Sequence, residues 1–83
     1  MNRLATLPIA LTTLSAGQTA RLHEARLDSQ SVSLLRALGL AEAEGFRVCK
    51  AGEPCILQVG TTRIGVSSAV ASNLYVIPDA PGG

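Results

Sequence analysis

Apolar and polar residues alternate in short runs along most of this chain. From Thr19 to Ala25, Ala20 and Leu22 fall on one face while Arg21 and His23 fall on the other, the period-two pattern of a strand with one buried side. Gly45 opens a second run, with Phe46 and Val48 directed inward and Arg47 and Cys49 outward. Cys55, Leu57 and Val59 make the inward set of a third, and Ile64 and Val66 that of a fourth. Leu74 to Ile77 predicts a last short strand, stopped by Pro78, which has no amide hydrogen to give a sheet. Lys50-Ala51-Gly52-Glu53-Pro54 and Gly60-Thr61-Thr62 read as the tight turns between these strands.

One segment breaks the alternation. Val32, Leu35 and Leu38, with Leu34 beside them, recur at helical spacing. Asp28 and Ser29 are both good N-caps. Gly39 supplies the left-handed residue that ends a helix, and Leu40 can then fold back onto its last turn. The stripe Val32, Leu35, Leu38 is expected to face the core. Two lesser turns flank this scheme: Leu11 and Leu14, three apart before Gly17, and a single turn over Ala69 to Asn73 capped by Ser67 and Ser68. The sum is a mainly β (α+β) fold of about five short strands and one main α-helix, in the style of a small closed or nearly closed barrel.

Composition sharpens that picture. The 83 residues allow one domain, residues 1–83, with the folded part at about 9–77. Hydrophobic residues make up 47% and charged ones 16%, the balance of a chain that folds. Phe46 and Tyr75 are its only aromatic residues, so the core must be built from aliphatic side chains. The net charge is +1 and the basic residues are scattered along the chain, without the stripe or the interleaved aromatics of a nucleic-acid binder. No apolar run approaches the roughly 20 residues of a membrane helix. Met1-Asn2-Arg3 and the stretch Leu4 to Leu14 have the outline of a signal peptide, but Thr6, Pro8, Thr12 and Thr13 interrupt it. A cytosolic protein without direct membrane insertion is the expectation.

The reactive side chains are few. Cys49 and Cys55 are candidate thiolate ligands, and their spacing across a turn also suits a disulfide. The alternation argues instead for one surface thiol, Cys49, and one core thiol, Cys55. His23 is the single histidine, with Glu24 and Asp28 near it in no recognised ligand pattern. Cys49 and His23 are therefore the candidate metal ligands, with ferrous iron or zinc as the ion and no cofactor required. Ser67, Ser68 and Ser72 have no evident base, and the glycine turns lack the Gly-Lys-Ser/Thr ending of a phosphate cradle. No enzymatic activity is expected. Leu34 and Arg36 at the helix margin, Leu40 after it, and Ile56 on the outward side of its strand are the candidate partner-binding residues. Ile77 also points outward.

The order of these features resembles the FeoA family. The match begins at Leu11-x-x-Leu14-x-x-Gly17-x-x-Ala20-x-Leu22 and continues through Leu34-Leu35-Arg36-Ala37-Leu38-Gly39-Leu40 and Phe46-x-Val48. It ends with Gly52-Glu53-Pro54, Gly60, Ile64-Gly65-Val66, Ala71-x-x-Leu74 and Val76. Where the family commonly has Pro-Gly after Gly-Leu, this chain has Ala41-Glu42-Ala43-Glu44, with the glycine displaced to Gly45. Ser67 stands where an arginine is often found, and Glu53 replaces the usual aspartate of Gly-Asp-Pro. The resemblance implies an SH3-like β-barrel, similar to the C-terminal domain of iron-dependent repressors. It also implies a non-enzymatic accessory protein of ferrous-iron uptake. Its expected partner is the cytosolic part of FeoB, the membrane transporter with a GTPase domain, whose transport or GTPase cycle it would modulate. Association with the membrane would then come through that partner. The alternative is a metal-responsive SH3-like module that binds iron or zinc and self-associates as a homo-oligomer.

Overall fold

The computed structural model describes residues 7–79. The first part of the signal-peptide outline, Met1 to Thr6, lies outside those residues. The elements in order are β1 (Ile9–Ala10), a 3-10 turn (Leu11–Thr13), β2 (Thr19–Ala25), α1 (Ser29–Ala37), β3 (Gly45–Lys50), β4 (Cys55–Val59), β5 (Thr62–Val66), α2 (Ser68–Ala71) and β6 (Leu74–Pro78). The strands form one antiparallel sheet in the order β1-β6-β2-β3-β4-β5. Six strands thus replace the expected five. The extra one is the two-residue β1, in which Ile9 pairs with Val76 and Ala10 with Tyr75. Pro78 is the last residue of β6 and lies opposite Ala20.

Alternation sets the two faces as the sequence predicts. Ala20 and Leu22, Phe46 and Val48, Cys55 and Leu57, Ile64 and Val66, and Leu74 and Val76 are all buried on the concave side. Leu11 and Leu14 close one end of this core through the 3-10 turn, and Ala71 joins it from α2. Fully burying a leucine or valine stabilises by about 1.5–3 kcal/mol, so these paired positions supply most of what holds so small a sheet together. Both cysteines are free; Cys55 is buried and Cys49 half-buried. Burial pushes the Cys55 thiol up from its ordinary value. The Cys49 sulfhydryl points instead to the Gln58 Oε1 at 3.8 Å on the outer face. On that face the Arg26 guanidinium stacks over the Tyr75 ring at 4.4 Å from its centre.

Helix α1 begins where expected. The Asp28 carboxylate accepts from the Ser31 hydroxyl at 2.6 Å and from the Ser31 amide at 3.3 Å. Those bonds, the hydroxyl first, hold its carboxyl below the usual aspartate value. The helix ends in a two-bond turn: the Gly39 amide donates to the Arg36 carbonyl at 3.0 Å and the Leu40 amide to the Leu35 carbonyl at 2.9 Å, with Gly39 at φ +104°.

This ending corrects two expectations. Leu40 is turned inward and only 1% exposed, so it is a core residue and presents nothing to a partner. Of the predicted stripe, only Leu35 is buried; Val32 is half-buried and Leu38 is 39% exposed. At about 100° per residue, Leu38 lies about 60° and Leu34 about 100° from Leu35, both on the same side of the helix axis. A helix that touches the core through Leu35 alone leaves that side turned outward.

Candidate interaction surface

That outward side forms a groove. Ser31, Leu34, Leu35 and Leu38 of α1 face Gly65 and Val66 of β5 and Ser67 and Val70 around α2, enclosing about 170 Å³. Leu34 is 62% exposed and Val70 half-buried. Gly65 lies opposite Ile56 in the β4–β5 ladder, and a Cβ at Gly65 would meet Ile56 Cδ1 at 3.5 Å. The Ile56 side chain therefore lies over Gly65 and extends the groove onto the outer face of the sheet. Two of the predicted contact residues, Leu34 and Ile56, are brought to one surface by the fold. Scattered exposed leucines are ordinary on proteins; a contiguous set around a concavity is what a partner can use.

Arg36 sits apart from this groove. Its guanidinium meets the Glu42 carboxylate at 3.0 Å, both side chains being about half exposed (56% and 46%). A hydrogen bond to its own backbone amide, then the Arg36 contact, holds the Glu42 carboxyl below the usual range. The pair ties α1 to the connection that follows it. In that connection Ala43 has φ +70°, the left-handed region that disfavours any residue with a Cβ. The Ala43 amide donates to the Leu22 carbonyl at 2.8 Å, which pins the turn to β2. Glycine is thus absent at the one place in this turn where its backbone is wanted, and Gly45 is an ordinary strand residue.

Two residues near the groove have structural roles that sequence reading did not assign in full. The Ser67 hydroxyl accepts the Val70 amide at 3.1 Å and caps α2. The Glu53 carboxylate, from the β3–β4 turn, accepts the Ser68 amide. That backbone bond is the main reason its carboxyl is held below the usual glutamate value. The cap at Ser67 was legible. The second, from a residue 15 positions earlier, leaves no local signal.

The candidate metal ligands are not brought together. His23 and Cys49 both belong to the outer face, on β2 and β3. With Arg21 opposite Gly45, His23 falls opposite position 43, six residues from Cys49, a separation of about 20 Å at 3.3 Å per residue. Among the described residues no group of three or more His, Cys, Asp or Glu side chains is placed to hold an ion. His23 lines a wider depression of about 440 Å³ with Arg21, Leu22, Glu42, Ala43 and Ile77. No helix among the described residues is long and apolar enough to cross a membrane.

Residues 9–78 match the FeoA domain family. The chain belongs to the FeoA family. Comparison with the curated proteins gives no significant match. Solved structures agree on the fold. FeoA from Chlorobium tepidum has a TM-score of 0.83 at 19% identity, over 90% of this chain and 74% of that one. FeoA from Stenotrophomonas maltophilia, solved in complex with zinc and described as a prokaryotic SH3 domain protein, has a TM-score of 0.67 at 25% identity, over 84% and 88% of the two chains. IdeR from T. acidophilum has a TM-score of 0.79 at 18% identity, covering 87% of this chain but 34% of that one. The SH3-like barrel and the likeness to iron-dependent repressors are therefore as the resemblance implied. Membership in FeoA supports an accessory role in ferrous-iron transport, in a family that is not one of enzymes.

Proposed function

We propose that this FeoA protein acts in the cytosol by docking on the cytosolic part of a FeoB-type ferrous-iron transporter, and that it modulates transport or the transporter's GTPase cycle. The observation that carries the reading is the groove between α1 and β5, where exposed Leu34 and Leu38 stand beside Val70 and continue onto Ile56. An aliphatic concavity of this kind favours a short apolar segment of a partner, with the leucines as anchors. The S. maltophilia relative, described as a candidate activating factor of ferrous-iron transport, supports a role beside a transporter. Arg36, paired with Glu42 away from the groove, has no part in this contact. A pull-down of the transporter's cytosolic domain by wild type and by Leu34→Asp tests this. Retention by wild type and loss in the variant are expected; equal capture by both, or by neither, overturns it.

A second reading draws on the zinc carried by that same relative. Here Cys49 or His23 would take its remaining ligands from another copy of the chain, because the two lie about 20 Å apart along neighbouring strands. Zinc or ferrous-iron titration calorimetry of wild type and Cys49→Ser decides it: binding that dimerises the protein and disappears in the variant would favour this reading over docking.

A further inference from the structure

We infer that the outer face of the sheet carries a cationic strip that recognises an acidic protein segment. The basic residues are scattered in the sequence, but the ladders gather them. Arg47 lies opposite Thr19 on β2 and Gln58 on β4, and Gln58 lies opposite Arg63 on β5. Arg21 is the next outward residue of β2 beyond Thr19, and Lys50 lies opposite Ile56. All four cations are exposed. With strands about 4.8 Å apart, Arg47 and Arg63 stand about 10 Å from each other across Gln58, and Arg21 is a diagonal neighbour of Arg47.

None of these four charges is paired with another described residue. Among the described residues the ion pairs are Arg26 with Glu24 and Arg36 with Glu42. Asp28 and Glu53 are engaged as helix caps. The remaining described acids are Glu44, whose carbonyl accepts the Leu22 amide, and Asp79, whose amide donates to the Thr19 carbonyl; neither forms an ion pair. Gln58 does not serve as an acceptor for the arginines either. Its Oε1 receives the Cys49 sulfhydryl and its Nε2 donates to the Gly60 carbonyl at 3.1 Å. It is a neutral spacer held between two positive charges.

The chemistry of the strip selects its occupant. Three of its four cations are arginines, whose planar fork pairs with carboxylates at two points. Base stacking needs aromatic side chains, and a membrane surface favours Trp and Tyr anchors; the strip has neither. The groove adjoins it, since Gly65 and Arg63 are successive outward residues of β5. A segment with acidic residues beside an apolar anchor fits both.

The test uses a short oligoglutamate peptide and needs no transporter, so its outcome is separable from that of the docking proposal. Amide chemical shifts of the full chain are followed by NMR at low and at physiological salt. Shifts confined to the neighbourhood of Arg21, Arg47 and Arg63, shrinking as salt screens the charges, are expected. Arg47→Gln with Arg63→Gln should weaken binding about fivefold, the effect of two exposed ion pairs. Arg26→Gln with Arg36→Gln removes the same charge elsewhere and should change it less than about twofold. Equal weakening by both double variants would reduce the effect to net charge and overturn the proposal. So would shifts elsewhere, or engagement of this face only by vesicles of equal parts phosphatidylcholine and phosphatidylserine or by duplex DNA.

Discussion

Replacing Ala43 by glycine should stabilise the protein, against the usual sign of an alanine-to-glycine change. Ala43 holds φ +70°, where an L-residue with a Cβ pays about 1–2 kcal/mol. It cannot relax freely, because its amide is fixed on the Leu22 carbonyl and the Glu44 amide on the Ala41 carbonyl, at 2.8 and 2.9 Å. Glycine removes the steric cost but gives the unfolded chain more freedom, which costs about 0.4–1 kcal/mol. The net is about 0.5–1 kcal/mol of added stability, or a Tm increase of about 3–6 °C for a domain of this size. The assay is thermal unfolding followed by far-UV circular dichroism, with urea melts to confirm that the m-value is unchanged. Ala41→Gly, two residues earlier and not at positive φ, is the control; it should lose about 0.4–1 kcal/mol. Ala43→Val should also lose stability, since a β-branched residue fits the left-handed region worst. An Ala43→Gly variant with Tm unchanged or lowered would refute the assignment of the left-handed residue to position 43.

Other outcomes follow from the same geometry. Leu40→Ala should cost about 2–5 kcal/mol, as core truncations do, while Leu34→Ala should stay within about 0.5 kcal/mol; chemical denaturation separates them. Ser67→Ala, which removes the α2 cap, should cost about 1 kcal/mol by the same measurement. Asp28, Glu42 and Glu53 all have carboxyls held low in the folded state, so the folded protein binds fewer protons than the unfolded chain. Their contribution is complete above the ordinary values of 3.8 for the aspartate and 4.5 for the glutamates and is lost as pH falls below them. A Tm-against-pH series should show this acid limb, and Glu53→Gln should shorten it. Cys49 should react with a thiol reagent in the native state, whereas Cys55, buried and with its thiol pushed up, should react only on unfolding.

The faces of β2, β3 and β5 were legible because a one-residue error in alternation would have placed arginines in the core. Phe46 against Arg47 leaves no second solution; in β4, where Ile56 and Leu57 are both aliphatic, Gln58 is the residue that fixes the face. The helix was legible in its ends, where Asp28 and Gly39 carry specific chemistry. It was less so in its packing, because spacing alone does not say how much of an apolar stripe the sheet will cover. Leu38 and Leu40 exchanged roles for that reason. The left-handed residue in the turn after α1 was not legible, because alanine gives no sign of such a backbone. The basic strip could not be read at all: Arg21, Arg47 and Arg63 become neighbours only through the register of four strands. Of the predicted contact residues, Leu34 and Ile56 share a surface, Arg36 is engaged with Glu42, and Leu40 is interior.

Tyr75 is the one tyrosine in a chain without tryptophan, and it lies under Arg26 on β6, paired with Glu24 and Ala10. Near-ultraviolet absorbance and intrinsic emission of this protein therefore report a single place, on the far side of the sheet order from β5. Unfolding will be visible there, because the Arg26 stack must break. Occupation of the groove reaches Tyr75 only indirectly, through α2, where Val70 lines the groove and the Asn73 carbonyl accepts the Arg26 amide at 2.8 Å. A binding study that relies on the protein's own chromophore would thus see a complex at second hand, whereas a cysteine-directed dye on Cys49, on the same outer face as Gln58, would sit beside the strip.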